Sequence, residues 1–341
     1  MIKRLLFIVL AGVGSHGVSA QDAHLSMYDA APIFLNPAMT GVFEGDWRLH
    51  AQYRTQWRAV NYKPYTTALV SFDAPVKKWG FGGQISNFRA GIGNYNVLQG
   101  TISAAYTTSI DKSRNHNISF GIQGGVNQKS LEYQLLTYDN QYSTNNGGEF
   151  VGTADPGESF SGQKLIVPVV NAGFLYFFAK QQSKLNPFIG ISAFNLTEPR
   201  ETFTNFDNKL PMRFYGHIGT RINIAETFYL LPKVLYMKQK EFEEVTLALD
   251  AGYYLKGSDL YLLGGIVYRN SGLLSSFSFQ NSDAMIVTIG AKMDAFIAKI
   301  GYDINISSLS SASGGRGGFE LSFTYMKQKK KPKTEKICPR L

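Results

Sequence analysis

Residues Trp47 to Arg58, WRLHAQYRTQWR, alternate between two faces without exception. Trp47, Leu49, Ala51, Tyr53, Thr55 and Trp57 fall on one side; Arg48, His50, Gln52, Arg54, Gln56 and Arg58 fall on the other, as successive side chains of a strand do. Three arginines on a wholly polar face require water or charged partners. An apolar face bounded by tryptophans requires an oily surround. A strand wet on one side and lipid-facing on the other is a strand of a transmembrane barrel.

The start of the chain agrees with export to such a site. Lys3 and Arg4 precede an apolar run from Leu5 to Val13, and Ser19-Ala20 offers a small-residue cleavage site, so residues 1–20 read as a secretory signal peptide. Beyond it no apolar run approaches the roughly 20 residues of a membrane helix. The 34 Gly, 19 Tyr and 24 Phe with only 17% charged residues suit many short strands with aromatic girdles better than separate soluble domains. The single Cys338 excludes a disulfide framework and a thiolate metal cluster.

Period-two stretches of about ten residues mark fourteen candidate strands, near 47–58, 65–74, 79–88, 96–110, 116–130, 164–180, 185–195, 211–223, 227–238, 243–255, 259–269, 284–293, 295–305 and 317–326. The joins between them sort by parity. Even joins are tight, at Pro75-Lys78, Asp111-Asn115, Gln181-Lys184, Ile224-Glu226, Lys256-Ser258 and Met293-Asp294. Odd joins include every long segment: 131–163, 196–210, 270–283 and 306–316. An outer-membrane barrel with both ends in the periplasm must alternate in this way, whereas a soluble sandwich need not. The fold expected is therefore all-β: a transmembrane antiparallel outer-membrane β-barrel of about fourteen strands over 47–326. The segment 272–280 could instead pair with 284–293 above the membrane.

Residues 21–46 do not alternate and form a short N-terminal periplasmic or plug-like segment, with Pro32, Asn36-Pro37 and Gly41 set around an apolar patch. Its acids Asp22, Asp29, Glu44 and Asp46 suit contact with the inward arginines, which places the segment against the periplasmic half of the lumen. Arg48, Arg54 and Arg58 have two readings. In the first they pair with Asp73, Asp250 or Asp303 in a network that rigidifies the lumen. In the second they recognise an acidic or carboxylate-bearing ligand. The outward face should include Trp47, Leu49, Tyr53, Trp57, Val245, Leu247, Leu249, Phe319, Leu321 and Phe323.

Catalytic chemistry leaves no trace. His24, His50, His116 and His217 lack metal-ligand spacing, and no nucleophile with its base stands out. Gly80-Phe81-Gly82-Gly83 opens a strand and is a wall kink, not a phosphate cradle. Arg316-Gly317-Gly318, a single RGG on an exported barrel, is a turn, and Glu243-Glu244 point to opposite faces. No enzyme activity, cofactor, metal or nucleic-acid partner is expected; outer-membrane lipid is. Net charge adds little, because 21–326 holds 25 basic and 24 acidic residues. The excess lies in the tail 327–341, KQKKKPKTEKICPRL, either solvated or docked on an acidic partner.

Several stretches together resemble the PorP/SprF family of type IX secretion and gliding-motility outer-membrane proteins. They are QDAHLSMYDAAPIFLNPAMTG at 21–41, YRTQW at 53–57 with Tyr65-Thr66 and Ser71-Phe72-Asp73, GYDINISSLSSASGGRGGFELSFTY at 301–325, and Cys338-Pro339-Arg340. The resemblance implies a non-enzymatic barrel that supports secretion and surface anchoring of a large adhesin by binding its C-terminal domain, with type IX components on the periplasmic side. Long outer loops suit that docking. The longest carries Tyr133, Tyr138, Tyr142, Phe150 and Phe160 as apolar anchors, unless it merely lids the barrel mouth. The alternative function is an outer-membrane channel for small or hydrophobic solutes.

Overall fold

A computed structural model of the chain describes residues 24–58, 63–145, 148–180, 183–204, 207–272, 281–308 and 310–327. The expected signal peptide, the tail past Lys327 and nearly all of 272–280 lie outside the described residues. The first strands are β1 Trp47–Gln56, β2 Tyr65–Val76, β3 Trp79–Ala90, β4 Tyr95–Ser109 and β5 His116–Ser130. A small hairpin, β6 Tyr142–Ser143 and β7 Glu149–Phe150, rises from the following loop. Then come β8 Lys164–Phe178, β9 Leu185–Phe194, β10 Arg213–Ala225, β11 Phe228–Gln239 and β12 Phe242–Leu255. The last are β13 Leu260–Asn270, β14 Ser282–Met293, β15 Phe296–Asn305 and β16 Arg316–Lys327.

Apart from β6 and β7, these strands form one closed fourteen-strand barrel in chain order, each antiparallel to its neighbours. β1 closes it against β16, from Trp47 opposite Lys327 to Gln56 opposite Gly318. Closure leaves no unpaired edge, which is what allows a sheet to sit in lipid, where backbone groups find no water. The joins keep the expected parity. β2–β3, β10–β11 and β14–β15 turn over two residues, while the long joins after β5, β9, β13 and β15 leave from the opposite rim. One short turn closes on Asp111, whose carboxylate accepts from the Ser113 hydroxyl and from the His116 and Asn115 amides. The Ser113 bond and these amides hold its carboxyl down at about 2.

Alternation sets the two faces of the wall. Leu49, Tyr53, Leu247, Leu249, Phe319, Leu321 and Phe323 are exposed outward, while Arg48, His50, Gln52, Arg54, Glu320, Ser322 and Thr324 are buried inward. Aromatic rings cluster beside the short turns: Trp47 lies 5.0 Å from Tyr325, Trp79 5.1 Å from Tyr106 and Phe296 4.8 Å from Tyr325. Amphipathic rings favour the lipid–water boundary, so these mark one membrane interface. Two outward assignments change. Val245 keeps the outward register but is only 7% exposed. Trp57 lies beyond β1 with φ at 62°, because the strand ends at Gln56 and the chain turns there. Likewise Arg316-Gly317-Gly318 begins β16, and the turn falls just before it, at Gly314 and Gly315 with positive φ.

Leu247 lies inside β12 and is 40% exposed. Leu247→Arg should cost roughly 2–4 kcal/mol if the site sits near the midplane. Reversible chemical unfolding in lipid bilayers measures this, and an unchanged midpoint would reverse the register of β12.

Candidate functional site

The lumen is filled by the chain's own start. Residues from Ser26 to Val42 are buried with few exceptions and run through the barrel in short helical turns. Ser26 and Met27 donate their amides to Glu320 at 2.8 and 3.1 Å, and the Ser26 hydroxyl donates to Asp303 at 2.7 Å. These partners stand in the half of the wall nearer the long loops. Farther along, the Gly41 amide donates to Asp73 at 2.7 Å beside the tight β2–β3 turn. There Thr40 and Gly41 pass so close to Gly80 that a Cβ on Gly80 would lie 2.0 Å from the Thr40 carbonyl. The segment therefore spans the lumen from the loop-side half to the short-turn rim. It is not confined to the periplasmic half as the sequence suggested.

Asn36 sits at its centre, fully buried. Its Oδ1 accepts from the Ala38 amide at 2.9 Å, capping the turn Pro37–Met39. Its Nδ2 lies 3.0 Å from the Phe174 carbonyl, 3.2 Å from that of Ile191 and 3.1 Å from His217 Nε2. Three adjacent strands make room for this knob: a Cβ on Gly121 or Gly173 would strike Pro37 or Asn36, and one on Gly190 would strike His217. The Asn-Pro-Ala stretch is thus a plug held in a glycine socket.

The wall charges complete themselves around the plug. Arg48 grips Asp73 through two bonds of 2.9 and 2.8 Å, a fork that matches a carboxylate. Arg54 pairs with Asp303 at 2.8 Å, lies 3.6 Å from Glu320 and donates to the His24 carbonyl. Arg269 joins the same Asp303 at 3.2 Å and also meets Asp283. Asp250 pairs with Lys233, not with an arginine, and the same Lys233 takes the plug's Asp29. The expected plug acid on an arginine is therefore corrected: the arginines reach plug carbonyls, while Asp29 meets lysines. Arg58 leaves the network altogether, exposed beyond the end of β1. Asp22 lies outside the described residues.

Sequence reasoning missed Glu320, Arg269, Lys233 and Asn36. The first three occupy inward positions of clean alternations, such as Leu231, Lys233 and Leu235, so the period that marked the strands also marked them. Asn36 had no comparable signal, because its partners are carbonyls of distant strands. The histidines serve the packing: His50 lies 2.8 Å from Thr324 and 2.9 Å from Gln52, and His116 lies 2.8 Å from Tyr176. Among the described residues no group of three or more His, Cys, Asp or Glu could hold a metal ion.

At the opposite end stands the long loop. Tyr133 stacks on Phe160 at 4.1 Å, with Tyr138 6.0 Å from the same ring. Phe160 bridges to Thr204, and Ser161 donates its amide to the Phe203 carbonyl, tying 131–163 to 195–212. Tyr142 and Phe150 face each other across the β6–β7 hairpin at 5.3 Å, each 51% exposed. Three of the five aromatics thus build the loop, and two are presented by it.

Asp303 is held by two arginines and a plug hydroxyl, so Asp303→Ala should destabilise by about 3–5 kcal/mol, the cost of leaving buried charge unpaired. Arg58→Ala should stay within about 0.5 kcal/mol, as at an ordinary surface site. Parallel denaturant titrations of the two variants check this, and equal effects would contradict the network described here.

The architecture has distant relatives. The toluene transporter TbuX of Ralstonia pickettii superposes with a TM-score of 0.51 at 9% identity, over 88% of this chain and 93% of that one. The monoaromatic hydrocarbon channel TodX, as its deltaS2S3 mutant, gives 0.52 at 12% identity, over 88% and 94%. At these identities the likeness is one of fold. No curated protein matches the sequence. The closed lipid-facing barrel is an outer-membrane structure, with its short turns toward the periplasm. Residues 17–325 match the family described as type IX secretion system membrane protein PorP/SprF, and the chain belongs to that family of the bacterial outer membrane.

Proposed function

We propose that this barrel is the outer-membrane station at which a secreted adhesin is retained, its C-terminal domain docking on the long loops. The carrying observation is the exposed Tyr142 and Phe150 pair, lifted on a hairpin whose base is braced by the Tyr133 and Phe160 stack. Large aromatics at exposed, pre-ordered positions are the residue types that dominate interface energetics. Bracing reduces the ordering cost of binding. The tie to 195–212 makes two loops one platform, and Lys129 at the end of β5 anchors the second through Glu201.

The periplasmic side would serve the other half of the task. β16 ends at Lys327 on the short-turn rim, and the basic composition of the residues after it suits an acidic surface of a periplasmic secretion component. Gliding motility and adhesion follow from the adhesin's retention. Solute conduction fits less well, because plug contacts to β1, β2, β5, β9, β11 and β16 occupy the lumen that a solute would cross.

Deleting 135–160 tests the docking role once normal insertion is confirmed by surface labelling. The adhesin should then be released to the medium or remain inside the cell, and Tyr142→Ser with Phe150→Ser should weaken surface retention in the same direction. An adhesin secreted and retained at wild-type levels in the deletion would leave the loop as a lid and nothing more.

A further inference from the structure

The plug does not fill the lumen completely. A cavity of about 360 Å3 lies between the plug and the wall made by β10 to β16 and the start of β1. That volume falls within the range of small-molecule sites. The cavity is built into the wall, because three side chains that could cross it lie flat on a neighbouring strand's glycine. Tyr229 covers Gly252, Asp250 covers Gly265 and Lys299 covers Gly290; a Cβ on those glycines would come within 2.2, 2.0 and 2.8 Å of the covering side chain.

The two ends of the cavity differ in charge. At the inner end Lys233 meets Asp29 and Asp250, and Lys299 lies 3.6 Å from Asp29, so two lysines balance two carboxylates. Tyr261, Lys292 and Met326, all within two residues of strand termini at the short-turn rim, line the other end together with Glu44. There Arg221 lies 3.7 Å over the Tyr229 ring and donates its Nε to Asn223 at 3.0 Å. Lys292 lies 5.9 Å from the Tyr261 ring, and the two rings are 6.5 Å apart. Leu231 and Leu263 add apolar surface. A cation fixed against an aromatic ring is already ordered, so an arriving anion incurs little of the cost of immobilising it.

We propose that this vestibule is a binding site for a small carboxylate with an aromatic or branched apolar body, entering from the periplasmic side. Its anionic group sits in the field of Arg221 and Lys292, where a guanidinium offers a planar fork to a carboxylate. Its body lies against the tyrosine rings, Leu231 and Leu263. Ligand recognition thus belongs to a pair of cations on β10 and β14. Arg48 lines the same cavity, forked on Asp73. The site is independent of the loop platform and stands or falls without it.

The test uses 3-phenylpropionate and, as its neutral counterpart, 3-phenylpropionamide, measured against the full barrel in non-ionic micelles by saturation-transfer NMR and equilibrium dialysis. The carboxylate should bind at least ten-fold more tightly than the amide. Arg221→Gln with Lys292→Gln should weaken carboxylate binding at least ten-fold. Leu263→Trp, which fills the cavity and keeps both cations, should abolish it. Heat-dependent gel mobility reports whether each variant folds, and the acid-to-amide comparison in the unaltered protein decides even where a variant does not. No binding of the acid, equal binding of acid and amide, or unchanged affinity in either folded variant would overturn the assignment.

Discussion

Asp303 and Glu320 stand on neighbouring strands in the loop-side half of the lumen, and the entry of the plug depends on what they accept. Glu320 takes the amides of Ser26 and Met27, Asp303 takes the Ser26 hydroxyl, and both face Arg54, with Arg269 joining Asp303. Two carboxylates and two guanidiniums inside a barrel are costly unless each is paired and hydrogen-bonded. The plug supplies donors to both carboxylates, while Asp303 Oδ1 and Arg54 Nε have no hydrogen-bond partner among the described residues. Eight strands make a barrel that side chains alone can fill, and more strands leave a lumen that water or additional chain occupies. The N-terminal segment is that chain, and the glycine socket around Asn36 and Pro37 fixes where it sits.

This division explains what could be read from the chain beforehand. Alternation is a local property, so strand number, register and the inward placement of Arg48, Arg54, Asp73 and Asp303 were visible in residues two apart. The partner of each charge was not visible, because pairing depends on which strands closure brings together. Asp250 faces Lys233 for that reason, and Arg58 falls outside because the strand turns two residues earlier than its pattern. The plug was legible as an irregular Pro-rich segment beside a polar lumen. Its path was not, since Asn36 is held by the backbone of β8 and β9, over a hundred residues away in sequence. The five loop aromatics look alike in sequence; only the stack of Tyr133 on Phe160 separates those that brace from those that are presented.

The resulting barrel is a wall with two separately equipped ends. Its outer rim carries a braced loop platform, and its inner rim carries the charged vestibule and the start of a basic tail. A plugged cylinder suits the proposed retention role better than the passage of solutes. The fold shared with hydrocarbon transporters does not decide between these, since one fold hosts many functions and the contents of the lumen differ from protein to protein.

Conductance in planar lipid bilayers tests the central claim, that the N-terminal segment closes the lumen. The intact barrel should show no large steady conductance, and a barrel lacking residues 24–43 with closure and insertion preserved should show an ohmic pore. An intact barrel that conducts as well as the deletion would mean that the segment does not occupy the lumen, and the account of the network built around it would be wrong.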